Sequence, residues 1–95
     1  MPRRRYAVYI LTNRRHTVFY VGVTGDLTRR LDQHRKGSGA RFTCRYHVDQ
    51  LVYVEFFDDV RSAIAREKQL KAGSRRRKES LIEGMNPEWR NLAPK

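Results

Sequence analysis

Tyr6-Ala7-Val8-Tyr9-Ile10-Leu11-Thr12, a polar break at Asn13-Arg14-Arg15-His16-Thr17, and Val18-Phe19-Tyr20-Val21-Gly22-Val23 form the stretch on which the fold turns. Two β-branched and aromatic runs separated by a short polar loop predict a β-hairpin, because such side chains suit a pleated, half-buried surface. With Arg14-Arg15 at the tip, Tyr9 faces Tyr20 and Leu11 faces Val18. Downstream, Gly25-Asp26 breaks the second strand, and Asp26 is placed to cap a helix running to about Lys36. Gly37-Ser38-Gly39 ends that helix and opens a basic loop carrying Arg41 and Arg45. Leu51 to Phe57 reads as a third strand. Asp58 or Asp59 caps a second helix that stops at Gly73, and Ser74 caps a third, strongly basic one closed by Gly84. The tail docks through Trp89. The order β-β-α-β-α-α describes an α/β (α+β) fold, a small three-stranded, antiparallel-rich sheet packed by helices, in one domain spanning residues 1–95.

The chain has 95 residues and a formal charge of +11, from 21 Lys and Arg against 10 Asp and Glu. A charge of that size says little about fold but predicts polyanionic partners, nucleic acid or an anionic membrane. The apolar runs Val18 to Val23 and Leu51 to Val54 are too short to span a bilayer, so no membrane association is expected. Met1-Pro2-Arg3-Arg4-Arg5 looks like the charged start of a signal peptide. The apolar segment after it ends at Leu11, however, and lacks a small-residue cleavage pattern. A cytoplasmic protein is the expectation, in keeping with a single cysteine, Cys44.

Helix periodicity then puts polar residues where apolar ones belong. Leu27 and Leu31 define the inward stripe of the first helix, and Arg30 and His34 fall on it, whereas Arg29, Asp32, Gln33 and Arg35 point elsewhere. On the second helix Val60, Ala63 and Ile64 make the stripe, and Glu67 joins it four residues after Ala63. Burying an arginine or a glutamate unpaired costs several kcal/mol, of order 3–5, so the placement needs a cause. Two causes stand at this point: a salt bridge between Arg30 and Glu67 that ties the helices together, or a cleft that receives a phosphate and a metal ion.

Ala7-Val8-Tyr9, Tyr20-Val21-Gly22, Thr28-Arg29-Arg30-Leu31-Asp32-Gln33-His34 and Ala63-Ile64-Ala65-Arg66-Glu67-Lys68-Gln69-Leu70-Lys71 occur in that order. Together they resemble the GIY-YIG nuclease superfamily, especially its small stand-alone members, over most of the chain from about Tyr6 to Leu81. Ala7 stands where the family has its first glycine, and valine replaces isoleucine in both short motifs. The resemblance implies a metal-dependent endonuclease acting on DNA, single-stranded, branched or duplex, with RNA left open. It implies Tyr9 as general base, Tyr20 hydrogen-bonded nearby, Arg30 gripping a non-bridging phosphate oxygen, and His34 positioning the water or receiving its proton. Glu67 would hold one divalent ion, Mg²⁺ or Mn²⁺, and Gly22 would let substrate or helix approach the strand. The family's further asparagine would be Asn86 or Asn91. A phenol is a weak base at neutral pH, and Arg30 is expected to lower the Tyr9 pKa.

Binding would come from Arg3 to Arg5, Arg14, Arg15, Arg41, Arg45 and the run Arg75, Arg76, Arg77, Lys78, whose summed charge implies salt-dependent affinity. No separate recognition module is evident, so sequence-specific cutting is not expected. Two other readings compete. One is a nucleic-acid-binding module that keeps the fold without catalysis. The other is a zinc site on Cys44 and His47 with His16 or His34, although structural zinc wants four ligands at a recognisable spacing.

Overall fold

A computed structural model describes residues 5–36 and 47–93. Three strands, β1 (Tyr6–Thr12), β2 (Phe19–Thr24) and β3 (Gln50–Phe57), form an antiparallel sheet in the order β2-β1-β3. Helix α1 (Leu27–Arg35) lies between β2 and β3 in sequence, and α2 (Val60–Ala72) and α3 (Arg75–Met85) follow. The element order and the antiparallel sheet are those the sequence predicts. Arg3, Arg4, the Gly37-Ser38-Gly39 stop, Arg41, Cys44 and Arg45 lie outside the described residues.

The caps act as their residue types dictate. Asp26 accepts from the Arg29 amide, Asp59 from the Ser62 amide and Ser74 from the Arg77 amide, each satisfying an otherwise orphaned helix donor. Two helix ends differ from expectation. Helix α3 runs through Gly84 and is capped by Asn86, and Gly73 ends α2 in an extended conformation (φ −72°, ψ 157°) rather than a left-handed one. The stop at Gly73 comes from that extended turn leading directly into the Ser74 cap.

The register of the hairpin also differs. Tyr9 pairs with Gly22, and Leu11 pairs with Tyr20. The cause lies in the loop. Asn13 Oδ1 accepts from the Thr17 and Val18 amides (2.8 and 3.2 Å), and His16 adopts a left-handed conformation (φ 57°), so the tip falls at Arg15-His16. The slip is by two partners, which preserves the face of every side chain. Tyr9 and Tyr20 therefore share a face, as diagonal neighbours.

Strand β1 is central and buried on both sides, which is why it reads as a continuous apolar run. Val8 and Ile10 pack with Val21, Tyr53, Ala63, Leu70 and Ile82, so α2 and α3 cover one face. Tyr9 and Leu11 pack with Leu31, Leu51 and Leu27, so α1 covers the other. A bulge between Ile10 and Leu11 leaves Val52 without a register partner. Among the described residues no helix is long and apolar enough to cross a membrane.

The C-terminal tail runs along β3. Asn91 Oδ1 accepts from the Leu51 amide (3.0 Å), and the Leu92 amide donates to the Leu51 carbonyl (2.7 Å). Asn86, 6% exposed, donates to the carbonyls of Val52 (3.2 Å) and Arg90 (2.8 Å) and accepts from the Arg90 amide (3.1 Å). Trp89 stacks on His16 and Phe19, so the tail docks through its tryptophan as expected. Replacing Asn86 by Ala removes all three bonds and leaves the Val52 carbonyl buried without this donor. The expected loss is about 2–3 kcal/mol, read as a lower urea midpoint at unchanged slope.

Candidate active site

Strand β1 carries Tyr9 inward onto the α1 face, where it is fully buried (0% exposed). Directly across the ladder is Gly22. A Cβ built on Gly22 would lie 2.5 Å from both Cζ and Oη of Tyr9, so the phenol rests over the bare glycine backbone. The close approach expected at Gly22 is therefore made by Tyr9 itself. Tyr20, two residues away on the same face, has its ring centroid 6.4 Å from that of Tyr9.

Helix α1 supplies the next groups. His34 is buried, its Nε2 is 3.1 Å from Tyr9 Oη, and its ring stands edge-on to Tyr20 at 5.3 Å. Burial, reinforced by the Arg30 charge, lowers the His34 pKa from the ordinary histidine value of 6.5. The ring is then neutral at pH 7, and Tyr9 O–H donates to Nε2. Arg30, one turn before His34, lines an open cleft of about 230 Å³ together with Thr24, Gly25, Asp26, Arg29 and Gln33. Arg29 and Gln33, expected to point elsewhere, rim this same cleft. Their spacing of four residues was the available signal, since it puts both on the stripe beside Arg30.

Burial pushes the Tyr9 pKa up to about 12, with Tyr20 and Glu67 adding to the rise and Arg30 opposing it. Arg30 does lower the value, as anticipated, but desolvation outweighs it. The consequence for stability has a definite sign. A tyrosine whose pKa is 10.0 when unfolded and about 12 when folded contributes fully below pH 10. That contribution disappears as the pH rises from 10 through 12, amounting to about 2–3 kcal/mol. Urea melts across this alkaline range are expected to show the decline in the native protein and a shallower one in Tyr9→Phe.

Glu67 reaches the site from the opposite layer. It lies four residues after the fully buried Ala63 on α2, its side chain is 16% exposed, and it pairs with Lys71 Nζ at 3.2 Å. Its carboxylate is near enough to Tyr9 to raise the phenol's pKa. Among the described residues no ion pair joins Arg30 to Glu67, so the helix-tying salt bridge is not what holds these groups inward. Their helices pack on opposite faces of the sheet.

The remaining candidates divide. Arg14 and Arg15 are exposed at the hairpin, and Arg76 and Arg77 are exposed on α3. Arg75 instead donates to the carbonyls of His16 and Thr17, lies 4.4 Å from the Phe19 ring centroid and pairs with Glu79. Lys78 donates to the Gly73 carbonyl (2.7 Å). Half of that basic run thus ties α3 to the hairpin and to the end of α2. Asn86 and Asn91 bond to the tail and to β3. Among the described residues no three His, Cys, Asp or Glu side chains gather as a metal cluster, and His16 and His34 are engaged with Trp89 and Tyr9.

The profile of the GIY-YIG catalytic domain matches residues 5–80. The chain belongs to the GIY-YIG family. It is 33% identical to the UPF0213 protein of Lacticaseibacillus paracasei over 90 residues, 95% of this chain and 100% of that one. It is 39% identical to a UPF0213 protein of Pseudomonas aeruginosa over 80 residues, 84% of this chain and 76% of the relative. The solution NMR structure of a UPF0213 protein from Bacillus halodurans is similar to it, with a TM-score of 0.59, 32% identity and 92% of each chain covered. GIY-YIG domains are nuclease domains, which makes nucleic acid the substrate class. The matched segment contains Tyr9, Tyr20, Gly22, Arg30, His34 and Glu67.

Proposed function

We propose that this GIY-YIG protein is a divalent-metal-dependent endonuclease that hydrolyses DNA phosphodiester bonds, acting as one domain without sequence specificity of its own. The observation that carries the reading is the buried Tyr9 Oη to His34 Nε2 hydrogen bond, one helical turn from an arginine that opens onto a cleft. Its single cysteine and its nucleic-acid substrate fit work in the cytoplasm.

A resting tyrosinate does not account for the chemistry. With its pKa at about 12, ionising Tyr9 at neutral pH costs about 7 kcal/mol, five units at about 1.4 kcal/mol each. A relay avoids that cost. As Tyr9 Oη takes a proton from the attacking water, its own proton passes to neutral His34 Nε2, and the oxygen never holds a full charge. The water oxygen bonds to phosphorus while the bond to the 3′ oxygen breaks. Arg30 holds the non-bridging oxygens in its planar fork, where charge accumulates. The 3′ oxygen takes a proton from solvent, and His34 passes its proton back to Tyr9 as Tyr9 releases one to solvent, which restores the resting pair. The products carry 5′-phosphate and 3′-hydroxyl ends.

The donor set at Glu67 fits a hard divalent ion, Mg²⁺ or Mn²⁺. One carboxylate, with water and phosphate oxygens filling the remaining positions, suits a cation that dehydrates reluctantly. Such an ion, held by Glu67, would supply Lewis-acid polarisation of the scissile phosphate and its leaving oxygen.

Labelled single-stranded, duplex and branched DNA incubated with Mg²⁺ tests the reading, with an RNA arm for the sugar. Glu67→Ala is expected to lower cleavage at least about 100-fold while leaving the thermal midpoint nearly unchanged, because its partner Lys71 is half exposed. Binding without cleavage of any substrate by the native protein would support the non-catalytic module. Full cleavage by Glu67→Ala would remove the ion from Glu67.

A further inference from the structure

Glu67 and Lys71 stand one helical turn apart on α2, with Nζ 3.2 Å from Oε2. The glutamate is mostly covered, whereas the lysine side chain is 55% exposed. Lys71 also lines a groove along the outer edge of β2, with Phe19, Tyr20, Val21 and Lys78. The groove therefore passes from the Tyr20 side of the candidate site toward the base of α3. An ammonium group and a divalent ion compete for the same carboxylate oxygens, since each satisfies the same negative charge. The lysine's four-carbon stem lets its head leave Glu67 and stay within the groove.

We propose that Lys71 is the resident counter-ion of Glu67, displaced when a divalent ion binds there, and that the displaced ammonium then holds a backbone phosphate in the β2 groove. The inference rests on Glu67 as the metal ligand and adds a second role for the same helix turn. Lys71 thereby links ion binding to substrate binding. While the carboxylate has no ion the lysine is occupied, and once the ion arrives the groove gains a cation. A plain helix staple would have no such link, because losing the pair would loosen the helix without altering ion or phosphate affinity.

The protein alone provides the first measurement. Broadening of amide signals from residues 64–71 by Mn²⁺ reports occupancy at Glu67 without any cleavage. Lys71→Met is expected to reach half-broadening at about two- to fivefold lower Mn²⁺, the size of an exposed ion pair in competition. Lys68→Met removes the same charge from an exposed neighbour of Glu67 and is expected to shift the midpoint much less. Equal midpoints in the two variants overturn the inference. Broadening unchanged in Glu67→Gln overturns the metal assignment itself, a separate failure.

DNA binding in a Tyr9→Phe background, where cleavage is suppressed, provides the second. With Mn²⁺ present, adding Lys71→Met is expected to reduce the slope of log affinity against log salt by about one phosphate contact. Without Mn²⁺ the slope is expected to be the same with and without Lys71. A slope that drops equally in both conditions means Lys71 is a constant surface contact, and the displacement is overturned.

Discussion

Tyr9→Phe is expected to lower DNA cleavage by about 10²–10⁴, the range over which a positioned proton-transfer group contributes, while the protein keeps its fold. The substitution isolates chemistry from packing. Tyr9 is fully buried between β2 and α1, and phenylalanine preserves the ring that fills this space. What leaves is one oxygen, together with its hydrogen bond to His34 Nε2. The stability cost is about 1 kcal/mol, because His34 loses a neutral partner rather than a charged one. The relay, in contrast, stops altogether, since the hydroxyl that links an incoming water to the imidazole is gone. Single-turnover cleavage with saturating DNA separates the two effects, and the loss should fall on the rate of the chemical step with DNA affinity unchanged. Native-like cleavage by Tyr9→Phe would end the relay and pass the role of base to a group outside the Tyr9–His34 pair.

Much of this arrangement is legible in the sequence, and the departures have identifiable physical origins. The caps at Asp26, Asp59 and Ser74 could be read because capping depends on one side chain and the next turn of backbone. The inward positions of Arg30, His34 and Glu67 could be read because 3.6-residue periodicity is also local, although of the stripe read on α2 only Ala63 is buried and Val60 and Ile64 are exposed. Periodicity says which side of a helix faces a sheet but not which face of the sheet it meets. Periodicity therefore leaves an Arg30–Glu67 salt bridge open, and the packing of the two helices on opposite faces decides against it. The hairpin register depended on how Asn13 folds its side chain into the loop, which strand propensity does not encode. The Tyr9 pKa was a contest between a nearby cation and burial, and only depth in the assembled core decides it. Arg75 and Lys78 read as part of a solvated basic run because their carbonyl partners are remote in sequence or belong to the preceding turn.

Gly22→Ala tests whether the tyrosine seat itself is essential, and it is expected to damage stability and activity together. The new methyl would start 2.5 Å from Tyr9 Cζ and Oη, well inside van der Waals contact. The phenol has little room to yield, since His34 bonds its oxygen and Tyr20 flanks the same face. Overpacking of this kind costs about 1–3 kcal/mol. A ring displaced by roughly 1 Å also loses its alignment with His34, and misplacement on that scale costs about 100-fold in rate. A glycine kept only for the approach of substrate would behave differently, since its alanine variant would cut poorly yet melt like the native protein. The double variant Gly22→Ala/Tyr9→Leu distinguishes these cases. Removing the ring relieves the clash, so it is expected to be more stable than the sum of the two single effects, by about 1 kcal/mol or more in a double-mutant cycle. It remains inactive, because the oxygen is gone. Additive effects in that cycle would mean that Tyr9 does not rest on Gly22, and the seat for the phenol would have to be sought elsewhere on β2.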